Sequence, residues 1–158
     1  ALPILTDRLI TLPCDLRDRR QLPPAGHFDL AVSNPPYFPA GGGKTATGSR
    51  GIHRAELACT MEQLCAAAAY LLRSGGQFCL VYRTERLAEL METLRRHRLE
   101  PKALRFVQKN AASAPSLLLM ACRKDGGTGL AVQPPLLLQN GDGTETPELR
   151  RIYFKEKG

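Results

Sequence analysis

An α/β fold is predicted for this 158-residue sequence, and three observations predict it. Short runs rich in β-branched and aromatic residues alternate with runs whose apolar residues recur at helical spacing. Glycine, proline and small polar residues punctuate the joins. The composition, 43% hydrophobic and 23% charged, is that of an ordinary globular protein, and the length suits one domain with one core. No apolar run approaches the ~20 residues that cross a bilayer. The opening Ala1-Leu2-Pro3-Ile4-Leu5 is too short and too poor in basic residues for a signal peptide, so a cytoplasmic location is expected. It also lacks an initiator Met, which reads as a trimmed chain or a piece of something longer.

Taken in order, residues 8–13 (RLITLP) predict a strand, with Asp15-Leu16-Arg17-Asp18 at its carboxyl end. Pro23-Pro24-Ala25-Gly26 breaks the chain. Residues 28–33 (FDLAVS) predict a compact apolar strand that runs directly into Asn34-Pro35-Pro36-Tyr37. A glycine-rich loop follows over residues 39–51. Thr60 predicts a helix start, because Gln63 three residues on completes a capping box. Met61, Leu64, Cys65, Ala68, Leu71 and Leu72 keep helical spacing up to the stop at Ser74-Gly75-Gly76. Residues 77–82 (QFCLVY) predict a buried strand. Thr84 is expected to cap the next helix, through about His97, with Leu87, Leu90, Met91 and Leu94 inward. Residues 103–107 and 117–122 predict an antiparallel hairpin. A short strand over residues 134–138 and a helical turn over residues 147–153 end the chain.

A net charge of +7 favours a polyanionic partner such as nucleic acid. Cys14, Cys59, Cys65, Cys79 and Cys122 are scattered singly. An odd count without CxxC pairs argues against a disulfide framework and a zinc site, and predicts small buried hydrophobes in a reducing compartment. His27, His53 and His97 do not cluster, so no metal site is expected.

Chemistry concentrates at Asn34-Pro35-Pro36-Tyr37. Adenine N6 is a poor nucleophile because its lone pair is delocalised into the ring. Two acceptors for its N–H groups favour a pyramidal nitrogen with the lone pair freed. Asn34 offers a side-chain carbonyl and Pro35 a backbone carbonyl, while the two prolines stiffen the turn that aims both. Tyr37 offers a ring for base stacking, worth about 1–3 kcal/mol. The motif ends a buried strand, where open α/β sheets place ligands. As a bare string it also suits a β-turn with an extended exit.

The run from Phe28 to Phe38 resembles the fourth motif of class I S-adenosylmethionine-dependent amino-methyltransferases. It is most similar to the bacterial tRNA (adenine-N6) methyltransferases. The segments 52–60 (IHRAELACT) and 71–78 (LLRSGGQF), and the tail from Pro135-Leu136 to Thr146-Pro147-Glu148-Leu149, resemble that group too. The resemblance implies a Rossmann-like sheet, S-adenosylmethionine as cofactor and tRNA as partner. It assigns Asn34, Pro35, Pro36 and Tyr37 to catalysis. It places Asp15, Leu16 and Asn34 near the cofactor, although Asp15 equally suits a helix N-cap. Tyr37, Phe38, Lys44, Arg50 and Arg54 are candidates for substrate binding, and Arg54 with Glu56 also suits a solvated ion pair.

The group's glycine-rich turn after its first strand, and the carboxylate after its second, have no counterpart here. Gly41-Gly42-Gly43 follows the Asn34–Tyr37 motif and cannot be that turn. The resemblance therefore implies a single partial domain. Residues 1–27 are a remnant of the cofactor half, 28–125 the catalytic half, and 126–158 a terminal strand and tail. The group's strand order is 3-2-1-4-5-7-6, so lack of strands 1 and 2 exposes the edge of residues 28–33. Three arrangements answer that: a closed-up sheet with strand 3 beside strand 4, a dimer through the edge, or a missing half supplied separately. A homodimer or a rearranged edge is expected. A protein glutamine N5-methyltransferase, a DNA adenine methyltransferase and a non-catalytic binding module are the alternative functions.

Overall fold

The computed structural model describes residues 9–35 and 59–153. Its centre is a five-stranded mixed sheet of β1 (Phe28–Ser33), β2 (Leu72–Arg83), β3 (Leu99–Gln108), β4 (Leu117–Lys124) and β5 (Ala131–Leu137), in the order β1-β2-β4-β3-β5. β1 runs parallel to β2 and β3 parallel to β5, while β4 is antiparallel to both β2 and β3. The expected hairpin is therefore present. Strands β1-β2-β4-β3 reproduce the 4-5-7-6 half of the class I order, and β5 extends it.

Helix α1 (Met61–Leu71) starts as its sequence dictates. Thr60 Oγ1 accepts from the Gln63 amide at 3.2 Å, and Gln63 Oε1 accepts from the Thr60 amide at 2.9 Å. The helix ends earlier than expected. Leu72 is already extended, at φ −74° and ψ 139°, and β2 begins there. Ser74-Gly75-Gly76 instead forms a bulge, because the β1 register jumps from Phe28↔Leu72 to Leu30↔Gln77. Gly75 takes φ +78°, which glycine adopts freely. At Gly76 a Cβ would stand 2.9 Å from the Arg73 carbonyl oxygen and 3.2 Å from that of Phe28. Both are backbone atoms with little room to yield. Gly76→Ala is expected to cost about 1–3 kcal/mol, read as a lower urea midpoint with an unchanged slope.

Thr84 does not cap a helix. Its hydroxyl donates to the Pro115 carbonyl at 2.8 Å, a 3-10 turn covers Thr84–Arg86, and α2 (Leu87–Arg96) follows. β3 begins at Leu99 and passes through Pro101, where the ladder to β4 slips and no amide donor is needed. In β5, Pro134 and Pro135 sit at a second slip on an edge strand. Thr146 accepts from the Leu149 amide at 3.2 Å and opens α3 (Pro147–Ile152).

Both α1 and α2 pack on one face of the sheet. Cys65 and Ala68 from α1 and Leu90 and Leu94 from α2 meet Phe78, Leu80, Tyr82, Leu104, Leu118 and Met120. The opposite face differs. Leu30 and Val32 pair with Gln77 and Cys79, which alternate with buried Phe78 and Leu80, so they point away from the helices. They are 53% and 73% exposed.

The expected strand over residues 8–13 is not formed within its described part. Residues 9–13 hold no ladder partner, and Leu9, Ile10 and Leu12 are exposed. Strand propensity expresses itself only against a neighbouring strand. The closed-up sheet is likewise absent, since among the described residues β1 pairs with β2 alone.

All five cysteines are free thiols. Cys65 and Cys122 are buried as expected, and burial pushes the Cys65 thiol up to about 12. Cys14, Cys59 and Cys79 are only partly covered, so the all-buried expectation fails for those three. No helix among the described residues is long and apolar enough to cross a membrane.

Candidate functional site

The site is built on the carboxyl ends of β1 and β2. Ser33 pairs with Leu80, so Asn34 and Pro35 leave the sheet where the ladder between the two parallel strands ends. Asn34 is exposed and Pro35 partly buried. α1 returns alongside, with the Gly26 and His27 amides donating to the Tyr70 and Leu71 carbonyls, both at 2.9 Å. These bonds tie the end of α1 to the start of β1. The capped start of α1 consequently faces the same end of the sheet as Asn34. Pro36, Tyr37, Phe38, Lys44, Arg50, Arg54 and Glu56 lie outside the described residues.

Asp15 belongs to a tight local turn. Its carboxylate accepts from the Arg17 amide at 2.9 Å, from Arg17 Nε at 2.9 Å and from the guanidinium terminus at 2.6 Å. The Arg17 hydrogen bonds hold this carboxyl at about 2, so it is ionised at neutral pH. The N-cap role falls to Asp18, whose Oδ1 accepts from the Arg20 amide at 3.1 Å ahead of the 3-10 turn Arg19–Gln21. Any ligand donor reaching Asp15 must share it with Arg17. Burial pushes the thiol of Cys59, just ahead of α1, up from its usual value.

Several ion pairs tie elements of the fold together. Arg73 bridges to Asp29 between β2 and β1. Glu62 of α1 meets His97 Nε2 at 2.7 Å and Arg96 at 2.9 Å, and Arg96 meets Glu92 at 2.6 Å. Only Glu92–Arg96 has a readable signal, the i,i+4 spacing. Arg105 clamps α3 through Glu148 at 2.7 Å. In the bulge, the Leu72 and Gly75 carbonyls accept from Lys124 Nζ at 2.6 Å and from Arg123 at 3.0 Å.

The fit of S-adenosylmethionine to these residues is partial. Asn34 stands at the carboxyl end of β1, where open α/β sheets hold their ligands. Among the described residues, however, no glycine turn joins a strand to a following helix, and the one carboxylate implied by resemblance is occupied by Arg17. The described residues by themselves do not form a complete pocket for the methyl donor.

No protein-family model matches the chain. It is 30% identical over 131 residues to a tRNA1(Val) (adenine(37)-N6)-methyltransferase of Serratia proteamaculans, a match covering 81% of this chain and 48% of that protein. A crystal structure from Agrobacterium tumefaciens, of a protein predicted to be an O-methyltransferase, superposes with a TM-score of 0.70 at 20% identity, over 89% of this chain and 60% of that one. A Thermus thermophilus protein assigned as a DNA modification methylase, solved with S-adenosyl-L-methionine, aligns at 17% identity and a TM-score of 0.47, over 87% of this chain and 56% of that one.

In its fold the chain is similar to that Agrobacterium structure, an α/β sheet of the class I methyltransferase type. In sequence it is similar to the tRNA1(Val) adenine-N6 enzyme of Serratia, of which it spans about half the length.

Proposed function

We propose that this chain is the amine-binding half of a methyltransferase that moves the methyl group of S-adenosylmethionine to adenine N6 in tRNA, in the cytoplasm. The observation that carries the reading is the placing of Asn34 and Pro35 at the carboxyl end of β1, beside a parallel β2, on a class I sheet. Similarity to the Serratia enzyme supports tRNA as the target, and so does the net charge of +7.

When bound, the cofactor supplies an electrophilic methyl group on a sulfonium. The chain's own residues do the positioning. The Asn34 side-chain oxygen accepts one N6 hydrogen and the Pro35 carbonyl the other, holding the nitrogen pyramidal and oriented. Tyr37 and Phe38 offer stacking for the base, and Lys44, Arg50 and Arg54 offer charge to tRNA phosphates. Asp15 and Leu16 border the cofactor's adenine.

The test is transfer of labelled methyl to unmodified tRNA. The 158-residue chain alone is expected to show little or no transfer, since the described residues hold only part of a donor pocket. Robust turnover by the chain alone would contradict that expectation. Label appearing on a release-factor glutamine instead of tRNA would favour the amide-methylating alternative.

A further inference from the structure

We propose that Arg83, at the carboxyl end of β2, binds a backbone phosphate of the RNA nucleotide whose adenine meets Asn34. The inference rests on the function proposed above and adds to it a residue that holds the substrate away from the reacting nitrogen.

The register puts Arg83 beside the motif. Ser33↔Leu80 is the last rung of the β1–β2 ladder among the described residues, and β2 runs on through Val81, Tyr82 and Arg83. Neighbouring strands lie about 5 Å apart, so the last residues of β2 climb alongside Asn34 and Pro35 as these leave β1. Leu80 and Tyr82 are buried with the layer of α1 and α2, so Val81 and Arg83 point to the other face of the sheet, as Val32 does.

Arg83 has a rigid mount and an exposed charge. The Thr84 hydroxyl donates to the Pro115 carbonyl at 2.8 Å and the Thr84 amide to the Ser116 carbonyl at 3.4 Å, which ties the turn after Arg83 to the start of β4. Arg83 Nε meets Glu85 Oε1 at 3.0 Å, and the two side chains are 47% and 66% exposed. A pair so exposed contributes little to stability. Its carboxylate occupies the guanidinium fork that a phosphate also fits, because both anions present paired acceptor oxygens. Glu85 therefore competes with the phosphate. That separates this role from a solvated ion pair: loss of either member of a structural pair acts in one direction, whereas here the two losses act in opposite directions.

The experiment measures binding of fluorescent unmodified tRNA to the 158-residue chain over a series of salt concentrations. Arg83→Ala is expected to weaken binding about tenfold, as loss of one charge-assisted contact does, and to lower the slope of log affinity against log salt by about one. Arg83→Lys keeps the charge without the fork and is expected to recover the slope with part of the affinity. Glu85→Gln is expected to tighten binding. Glu92→Gln removes the same charge on α2, where Glu92 pairs with Arg96, and controls for net charge. Circular dichroism checks the fold of each variant. No binding by the wild-type chain, an unchanged slope in Arg83→Ala, or equal tightening by Glu85→Gln and Glu92→Gln overturns the proposal. Weaker binding in both Arg83→Ala and Glu85→Gln also overturns it and leaves the pair structural. If the expected binding effects appear but the chain joined to the part of the Serratia protein outside the 131 matched residues forms no N6-methyladenosine, the phosphate contact stands and the enzymatic reading falls. N6-methyladenosine formed with the same KM for tRNA by wild type and Arg83→Ala does the reverse.

Discussion

Asn34→Ala, assayed with the chain joined to the part of the Serratia protein outside the 131 matched residues, should lower the turnover number by about 10²-fold or more, the range seen when one preorganised hydrogen-bonding group is lost from a reacting centre. β1 sets the position of this side chain. Its register with β2 fixes Asn34 one residue beyond the Ser33↔Leu80 pair, so the side chain projects from a rigid strand end. Alanine at this exposed position removes the acceptor without opening a core cavity. The KM for tRNA should change little, because tRNA is held mainly by phosphate contacts elsewhere. Asn34→Asp keeps an acceptor oxygen and is expected to retain more activity than the alanine variant. Single-turnover kinetics would separate the two. Equal loss in both, accompanied by a lower melting temperature, would reassign Asn34 to structure.

Phe78→Ala should be the most destabilising single change, at about 3–5 kcal/mol. Phe78 is 1% exposed and lies centrally in β2, with Ala31 on one side and Cys122 on the other. It joins the parallel and antiparallel parts of the sheet to the layer formed by α1 and α2. Truncation there removes the largest fully buried side chain. Since an ordinary domain is stable by only ~5–15 kcal/mol, much of the folded population would be lost on modest warming. Urea unfolding followed by circular dichroism measures it. A loss under about 1 kcal/mol, far below the usual cost of such a truncation, would mean that the two sheet halves are held independently of this core.

Much of the fold was legible in the residues. The Thr60/Gln63 capping box, the helical spacing from Met61 to Leu71, the apolar run Phe28–Ser33 and the β3–β4 hairpin all carry local signals strong enough to survive folding. Legibility failed where partners, not propensity, decide. Residues 9–13 have strand-like side chains and no strand to pair with. Ser74-Gly75-Gly76 has the composition of a helix stop but becomes a bulge, because Phe28 and Leu72 pair ahead of it. Thr84 has the chemistry of a cap but spends its hydroxyl on Pro115, far along the chain. The place of Asn34-Pro35 just beyond a strand end was legible because the apolar run before it and the prolines fix backbone direction locally. Asp15 was not, since its engagement by Arg17 depends on the shape of one turn. The Glu62–His97 and Asp29–Arg73 pairs link residues far apart in sequence and leave no periodic trace.

The central claim is the identity of the acceptor atom. The most direct measurement digests unmodified tRNA to nucleosides after incubation with labelled S-adenosylmethionine and the chain joined to the part of the Serratia protein outside the 131 matched residues, and separates the products by chromatography. N6-methyladenosine carrying the label is the predicted result. Label in any other nucleoside, or retained in protein glutamine, would contradict it.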